Sequence, residues 1–435
     1  MVKQQVKILI SSDINFKFEL KLLLNKGDND NLNIYDTVYH IIKKIRKSGD
    51  QALLEIVKKL DGIDTDKVQN LKVSQSKLKL AYDNLKINQK QALNFAAKRI
   101  RLFHEKQIPQ NINYSDDLDV KLGLIYTPVE SVGFYVPGGK AVYPSSVLMN
   151  AIPALVAGVK RRVMVSPISD LQNSSIVLAA AHIAGVTDFF CMGGAQSIAA
   201  LAYGTETIEQ VNKIVGPGNA YVAEAKRQVF GQVGIDSIAG PSEVLIVCDD
   251  SACPEHIAID LLSQAEHDEQ AQAILITDSI EFAKKVEISV EKFLNDLPRS
   301  KIASMSWYNN GALIVVNNMD EAIVLINSIA PEHLELVFNN AEKYIAKIKN
   351  AGAIFLGPNT PEAIGDYVAG PNHVLPTNGT AKFSSGLSVL DFYKRTTIVN
   401  CNKKNLTIIG EHAITLAKAE GLDAHAMSIS LRINK

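Results

Sequence analysis

The chain reads as an α/β protein built on parallel sheets, and three observations predict this. From about residue 120 onward, short β-branched runs alternate with helical segments of roughly 10–15 residues, the pattern that parallel strand–helix units leave in a sequence. Residues 35–108 instead hold a helical period, with Val38, Ile41, Ile42 and Ile45 followed by Leu53, Leu54, Val57 and Leu60. Val215-Gly216-Pro217-Gly218-Asn219 leaves a strand-like run and opens a helix, a turn whose free N–H groups suit a phosphate.

In chain order, residues 1–26 are polar with scattered apolar positions and read as an N-terminal extension. Gly27 to Asn33 reads as a loop. Pro109 closes the helical block that follows. Strands are expected at Arg162–Val165, Phe189–Cys191, Lys213–Val215, Val244–Cys248, Ala273–Ile276, Leu313–Val316 and Ala353–Leu356. Ala220 to Phe230 is a helix that Asn219 would cap. Pro137-Gly138-Gly139 and Gly240-Pro241 are hinges around about 100 residues that suit an inserted α/β domain. The tail from 405 to 435 reads as one long helix, a break at Gly421 and a final extended stretch, an arm that packs on something else. No internal repeat is visible.

At 435 residues the chain holds roughly two to three domains. A net charge of −1 gives no basic surface for nucleic acid or anionic membrane. The N-terminus lacks a signal-peptide core, and Ile176 to Val186 is too short to span a bilayer. Four scattered cysteines without a close pair read as reduced thiols of a cytoplasmic protein, and none sits in a catalytic motif.

Five constellations carry possible chemistry. Gln264 and His267, three apart, would share a helix face beside the apolar stripe Ala258, Leu261, Leu262, Ala265; they are either a satisfied core network or half of a metal site. The turn at 216–219 lacks the third glycine of the dinucleotide fingerprint, since position 221 is Tyr221. Glu332 and His333 are adjacent, so in a regular strand they face apart; the preceding Pro331 favours an irregular entrance from which both reach one substrate. A Glu-His pair also occurs at 255, 266 and 411, so the dipeptide is not specific by itself. Asp366 and His373 lie in a Gly/Pro-rich loop, where ligating groups concentrate. Glu420 and His425 flank the helix-ending Gly421. Gln264, His267, Asp366 and His425 together offer mixed N/O donors of the kind zinc accepts, without proof that they converge.

Taken together, these stretches resemble histidinol dehydrogenase. The blocks are Gly133-Phe-Tyr-Val-Pro-Gly-Gly, Tyr143-Pro-Ser-Ser-Val-Leu-Met-Asn, Gly193-Gly-Ala-Gln196, Lys213-Ile-Val-Gly-Pro-Gly-Asn219, Ala239-Gly-Pro-Ser-Glu-Val, Leu262-Ser-Gln-Ala-Glu-His, Ala330-Pro-Glu-His-Leu-Glu, Gly365-Asp-Tyr, Asn372-His-Val-Leu-Pro and Glu420-Gly-Leu-Asp-Ala-His. The resemblance runs from about residue 45 to the end; Lys140, where an arginine is usual, and Cys253 are minor differences that touch no assigned role.

The resemblance implies two successive NAD-dependent oxidations, L-histidinol to L-histidinaldehyde to L-histidine, with one zinc ion per subunit. It implies Gln264, His267, Asp366 and His425 as zinc ligands, and His333 as general base with Glu332 activating water. Substrate contacts would come from Ser242, His373 and Glu420, together with the zinc ligands, Glu332 and His333. Tyr135, Gln196 and Asn219 would contact NAD. The implied fold has two incomplete Rossmann-like domains with parallel sheets and small terminal extensions, in a domain-swapped homodimer. The divisions would be 1–26, a larger domain of 27–134 with 242–387, an inserted NAD-binding domain of 135–241, and a C-terminal extension, 388–435, that completes the partner's active site. Competing readings are a zinc hydrolase without NAD, against which Tyr135, Gln196 and Asn219 argue, and a non-catalytic binding protein.

Overall fold

The computed structural model describes residues 5–24, 31–138, 143–171 and 173–433. The hinge residue Gly139, Lys140 and the boundary placed between 26 and 27 lie outside the described residues. The fold is α/β, built on two six-stranded sheets and one small antiparallel sheet. The first large sheet runs Lys72–Val73, Asp188–Cys191, Arg161–Ser166, Ser131–Tyr135, Lys213–Val215, Gly234–Ile235. The second runs Lys7–Ile10, Ala312–Val315, Gln272–Thr277, Glu243–Cys248, His333–Val337, Ala353–Leu356. Apart from their outermost first strands, both follow one order: third, second, first, fourth, fifth in chain sequence, all parallel. That is the start of a doubly wound arrangement. The repeat is one of topology alone, which explains why the sequence showed none.

The central strands are buried on both faces, so they read as continuous apolar runs. Gln272–Thr277 is buried throughout and Glu243–Cys248 from Val244 onward. Each large sheet has a core on both faces.

Three expectations are corrected here. Residues 7–10 do not merely extend the fold: they pair in parallel with Ala312–Val315 at the edge of the second sheet. Phe16, Leu20 and Leu23 of the following helix join that sheet's core. The helices between 31 and 105 pack on the first sheet, not with 242–387. Val38, Ile42, Ile45, Leu53 and Val57 share one core with Ile198, Leu201 and Val222, while Leu78, Leu93 and Ile100 cover the opposite face with Leu148, Ile152 and Leu178. An amphipathic pattern records that a helix has a buried face; it does not record which sheet covers it. The expected loop at 27–33 is already helical from Asn31, and residues 27–30 lie outside the described residues.

The C-terminal segment departs from the body. Tyr393–Asn400 pairs with Lys121–Pro128, which pairs with Ile112–Ser115, all antiparallel. Helices Lys403–Ala419 and Asp423–Ile433 then pack on one another. The last stretch is therefore helical, where an extended tail was expected. Gly421 (φ 73°) ends the first helix and Asp423 opens the second with the acid that a helix N-terminus favours. Among the described residues no helix is long and apolar enough to cross a membrane.

Candidate active site

The amino ends of the second sheet hold a buried cluster of acids and imidazoles. The left-handed Ala330 (φ 56°) ends one helix, Pro331 follows, and His333 begins the next strand. This irregular entrance lets Glu332 and His333 converge on a neighbouring residue, Glu243. Glu332 Oε2 accepts from the Glu243 N–H at 2.8 Å, and His333 Nδ1 lies 3.0 Å from the Glu243 carbonyl. A carbonyl only accepts, so Nδ1 carries the proton and Nε2 holds the free lone pair. His333 Nε2 is buried and has no hydrogen-bond partner. It stands 4.0 Å from Asp366 Oδ1, and Nδ1 stands 3.6 Å from Glu332. Burial holds the His333 imidazole below its ordinary pKa, and the charge of Asp366 offsets this in part. Burial pushes the Glu332 carboxyl well above the carboxylate range, against the Glu243 N–H. A neutral imidazole and a weakly acidic carboxyl side by side can accept and pass protons near neutral pH.

Gln264 sits fully buried at the end of helix Pro254–Ala265. With its amide oriented to suit its neighbours, the nitrogen donates to Glu362 at 2.6 Å and the oxygen accepts from the Glu243 N–H at 3.0 Å. His267 lies beyond the helix, in a turn closed by its own N–H on the Gln264 carbonyl. The expected shared helix face is therefore replaced by a helix end, yet His267 Nε2 still lies 4.0 Å from Asp366 Oδ2. Asp366 is on the short helix Glu362–Tyr367, not in a loop. Burial raises its pKa, but the His373 hydrogen bond and the charges of His373, His333 and His267 prevail and hold it at about 2. His373 Nδ1 lies 3.1 Å from the Asp366 carbonyl. Ser242 precedes Glu243 at the same edge. His333 and His373 also line a cleft of ≈ 300 Å³ walled by Phe103, Phe355, Leu375 and Leu387.

Six of the expected residues thus come together: Gln264, His267, Glu332, His333, Asp366 and His373. Glu420 and His425 do not; both are exposed on the C-terminal arm. Glu362, absent from the sequence expectations, closes the cluster. It is 2% exposed, and its carboxylate, Asp366 and His333 offer donor atoms within 4.8 Å of one another. Burial, with Asp366, Glu335 and Glu332 adding charge repulsion, pushes its pKa well up. Its signal was available: Glu362 and Asp366 are four apart, one helical turn.

Tyr135, Gln196 and Asn219 each lie at the carboxyl ends of the first sheet. The Tyr135 hydroxyl accepts from the Gly194 N–H at 3.3 Å, and burial pushes this phenol up to about 12. Asn219 caps helix Ala220–Val229, accepting from the Val222 N–H at 3.1 Å. Gly216 (φ 107°) admits no side chain, since a Cβ would stand 2.3 Å from the Tyr135 carbonyl oxygen. The buried ion pair of Lys226 and Asp236 clamps this turn: Lys226 donates to the Gly216 carbonyl at 2.9 Å and Asp236 accepts from its N–H at 2.8 Å. Asp61, absent from the sequence expectations, accepts from Gln196 Nε2 at 3.0 Å and from the Gly193 N–H at 3.2 Å.

The chain is similar to known proteins over nearly its whole length. The histidinol dehydrogenase family model matches residues 24–433, farther toward the N-terminus than the quoted blocks reach. The histidinol dehydrogenase of Gluconobacter oxydans is 49% identical over 430 residues, 99% of this chain and 100% of that one. That of Bradyrhizobium diazoefficiens is 55% identical over 394 residues, 91% of each. The crystal structure of histidinol dehydrogenase from Elizabethkingia anophelis superposes with a TM-score of 0.91 at 35% identity, covering 99% of this chain and 98% of that one. An acetylating aldehyde dehydrogenase from Geobacillus thermoglucosidasius, at TM-score 0.50 and 15% identity, shares the fold alone.

Proposed function

The chain belongs to the histidinol dehydrogenase family, oxidoreductases of histidine biosynthesis, and we propose that it oxidises L-histidinol through L-histidinaldehyde to L-histidine, with NAD as oxidant and one zinc ion per subunit. The observation that carries this reading is the His333 imidazole, buried, protonated on Nδ1 and free on Nε2, beside a buried basic carboxylate. His333 Nε2 takes the alcohol proton in the first oxidation. Glu332 takes a proton from water as it adds to the aldehyde, and the resulting hydrate is the substrate of the second. Burial of this edge keeps the aldehyde from solvent between the steps.

Gln264, His267 and Asp366 suit zinc. Asp366 is held ionised although only partly exposed, and a carboxylate, an imidazole and a carboxamide are oxygen and nitrogen donors of the type this metal takes. When bound, zinc supplies a Lewis acid that anchors the imidazole and amine of the substrate, and NAD supplies the electron acceptor. The first sheet, with Tyr135, Gln196 and Asn219 at its edge, is the proposed dinucleotide unit. Glu420 and His425 are exposed on an arm that leaves the body. In a domain-swapped homodimer the helices Lys403–Ala419 and Asp423–Ile433 of that arm reach the neighbour, while Val389 and Phe392, past the expected boundary at 388, stay in the core of their own chain, and the partner subunit's His425 supplies the fourth ligand. The same reading places the enzyme in the cytoplasm.

The test is NADH formation by zinc-loaded protein with L-histidinol. Two NADH per L-histidinol and L-histidine as product are expected; no NADH, with zinc bound, would overturn the proposal.

A further inference from the structure

Glu335 has no part in the reaction described above, yet it is 1% exposed and lies two residues after His333 on the same strand, so both side chains leave one face. Its Oε1 accepts a hydrogen bond of 2.7 Å from the backbone N–H of Glu362. Glu362 is the first residue of helix Glu362–Tyr367, and Pro361 before it makes no side-chain cap. The first N–H groups of a helix lack partners within it, and a buried one left unpaired is costly. Glu335 pairs this donor from another element.

That short helix carries two groups of the site. Glu362 receives the Gln264 amide, and Asp366 faces His267, His333 and His373. The helix also has no slack on its strand-facing side: a Cβ on Gly365 would stand 2.6 Å from the Phe355 ring. A shift of its first turn therefore moves Asp366 against His333 and His267.

We propose that Glu335 is a positioning residue, whose carboxyl clamps the first turn of the Glu362–Tyr367 helix to the His333–Val337 strand and so fixes where Asp366 and Glu362 stand. Gln at this position keeps an acceptor of the same reach. Met fills the volume without one, and Asp is one methylene too short.

The experiment compares Glu335→Gln, Glu335→Met and Glu335→Asp in the full chain. The first readout is amide hydrogen exchange across residues 361–368 in zinc-free protein. Faster exchange in the Met and Asp variants, with wild-type rates in Gln, is expected. The second is zinc affinity by chelator competition, which depends on the zinc reading: Met and Asp should weaken it about 10–100-fold and Gln less than about threefold. If Met does not fold, Asp decides. Wild-type exchange in the Met or Asp variant, or a Gln variant as impaired as these, overturns the clamp. Failure of wild-type protein to take up zinc overturns the metal reading instead, and the exchange data still decide the clamp.

Discussion

The two large sheets share one strand order but expose their polar groups at opposite edges. Tyr135, the Gly193-Gly194 turn and Gly216–Asn219 lie at the carboxyl ends of the first sheet, the usual ligand edge of such folds. Glu243, Glu332, His333 and Gln264 lie at the amino ends of the second. Helix direction accounts for the difference. Helices Gly194–Tyr203 and Ala220–Val229 begin at the first edge, and their N-termini favour anions such as a pyrophosphate. Helix Pro254–Ala265 ends at the second edge, and a C-terminus favours a cation. One topology thus yields an edge suited to a dinucleotide and an edge suited to a metal.

The sharpest way to break this division is to disable the second edge and watch the first. Glu332→Gln and His333→Asn should each lower kcat about 10²–10⁴-fold while zinc content and NADH affinity stay at wild-type values. A matching loss of NADH affinity would mean that the edges are not separate. The arm adds a third region. Glu332→Ala and His425→Ala proteins should each be inactive, yet subunit exchange should restore about a quarter of wild-type activity, because half the dimers are then mixed and each holds one intact site. No recovery, with mixed dimers confirmed, would remove His425 from a shared site. At the first edge, Asn219→Ala loses a helix cap worth about 1 kcal/mol. It should raise KM for NAD and leave zinc content unchanged; steady-state kinetics and thermal unfolding read both.

The smallest effect is a pH dependence. Burial, reinforced by Asp260, pushes the Glu335 carboxyl up to about 8. The folded chain therefore binds this proton more tightly than the unfolded chain, whose glutamates titrate near ~4.3, and stability falls as pH rises through that window. Glu335→Gln does not titrate, so its Tm relative to wild type should improve from roughly pH 5 to pH 8 in zinc-free protein. A difference independent of pH would contradict this. Asp366, held at about 2, acts in the opposite sense: its contribution is present above ~3.9 and is lost as pH falls toward 2.

What the sequence disclosed follows the same physics. Strands Glu243–Cys248 and Gln272–Thr277 were legible nearly to the residue because both faces are buried. Edge strands Lys72–Val73 and Gly234–Ile235 span two residues each, too few to show a period. The pairing of Gln264 with His267 was visible as spacing, but the helix end between them was not. Asp366 looked like a loop residue because its helix has only six residues. Glu362 could have been found from its distance to Asp366. Asp61 could not, since its partners Gly193 and Gln196 lie more than a hundred residues away, beyond any local pattern.

The division between the edges is tested most directly by titrating zinc-free protein with NADH and with L-histidinol, then repeating both after zinc is restored. Zinc removal should leave NADH affinity within about twofold and abolish L-histidinol binding, with full recovery on reloading. NADH binding lost together with zinc, or L-histidinol bound as tightly without it, would contradict the account.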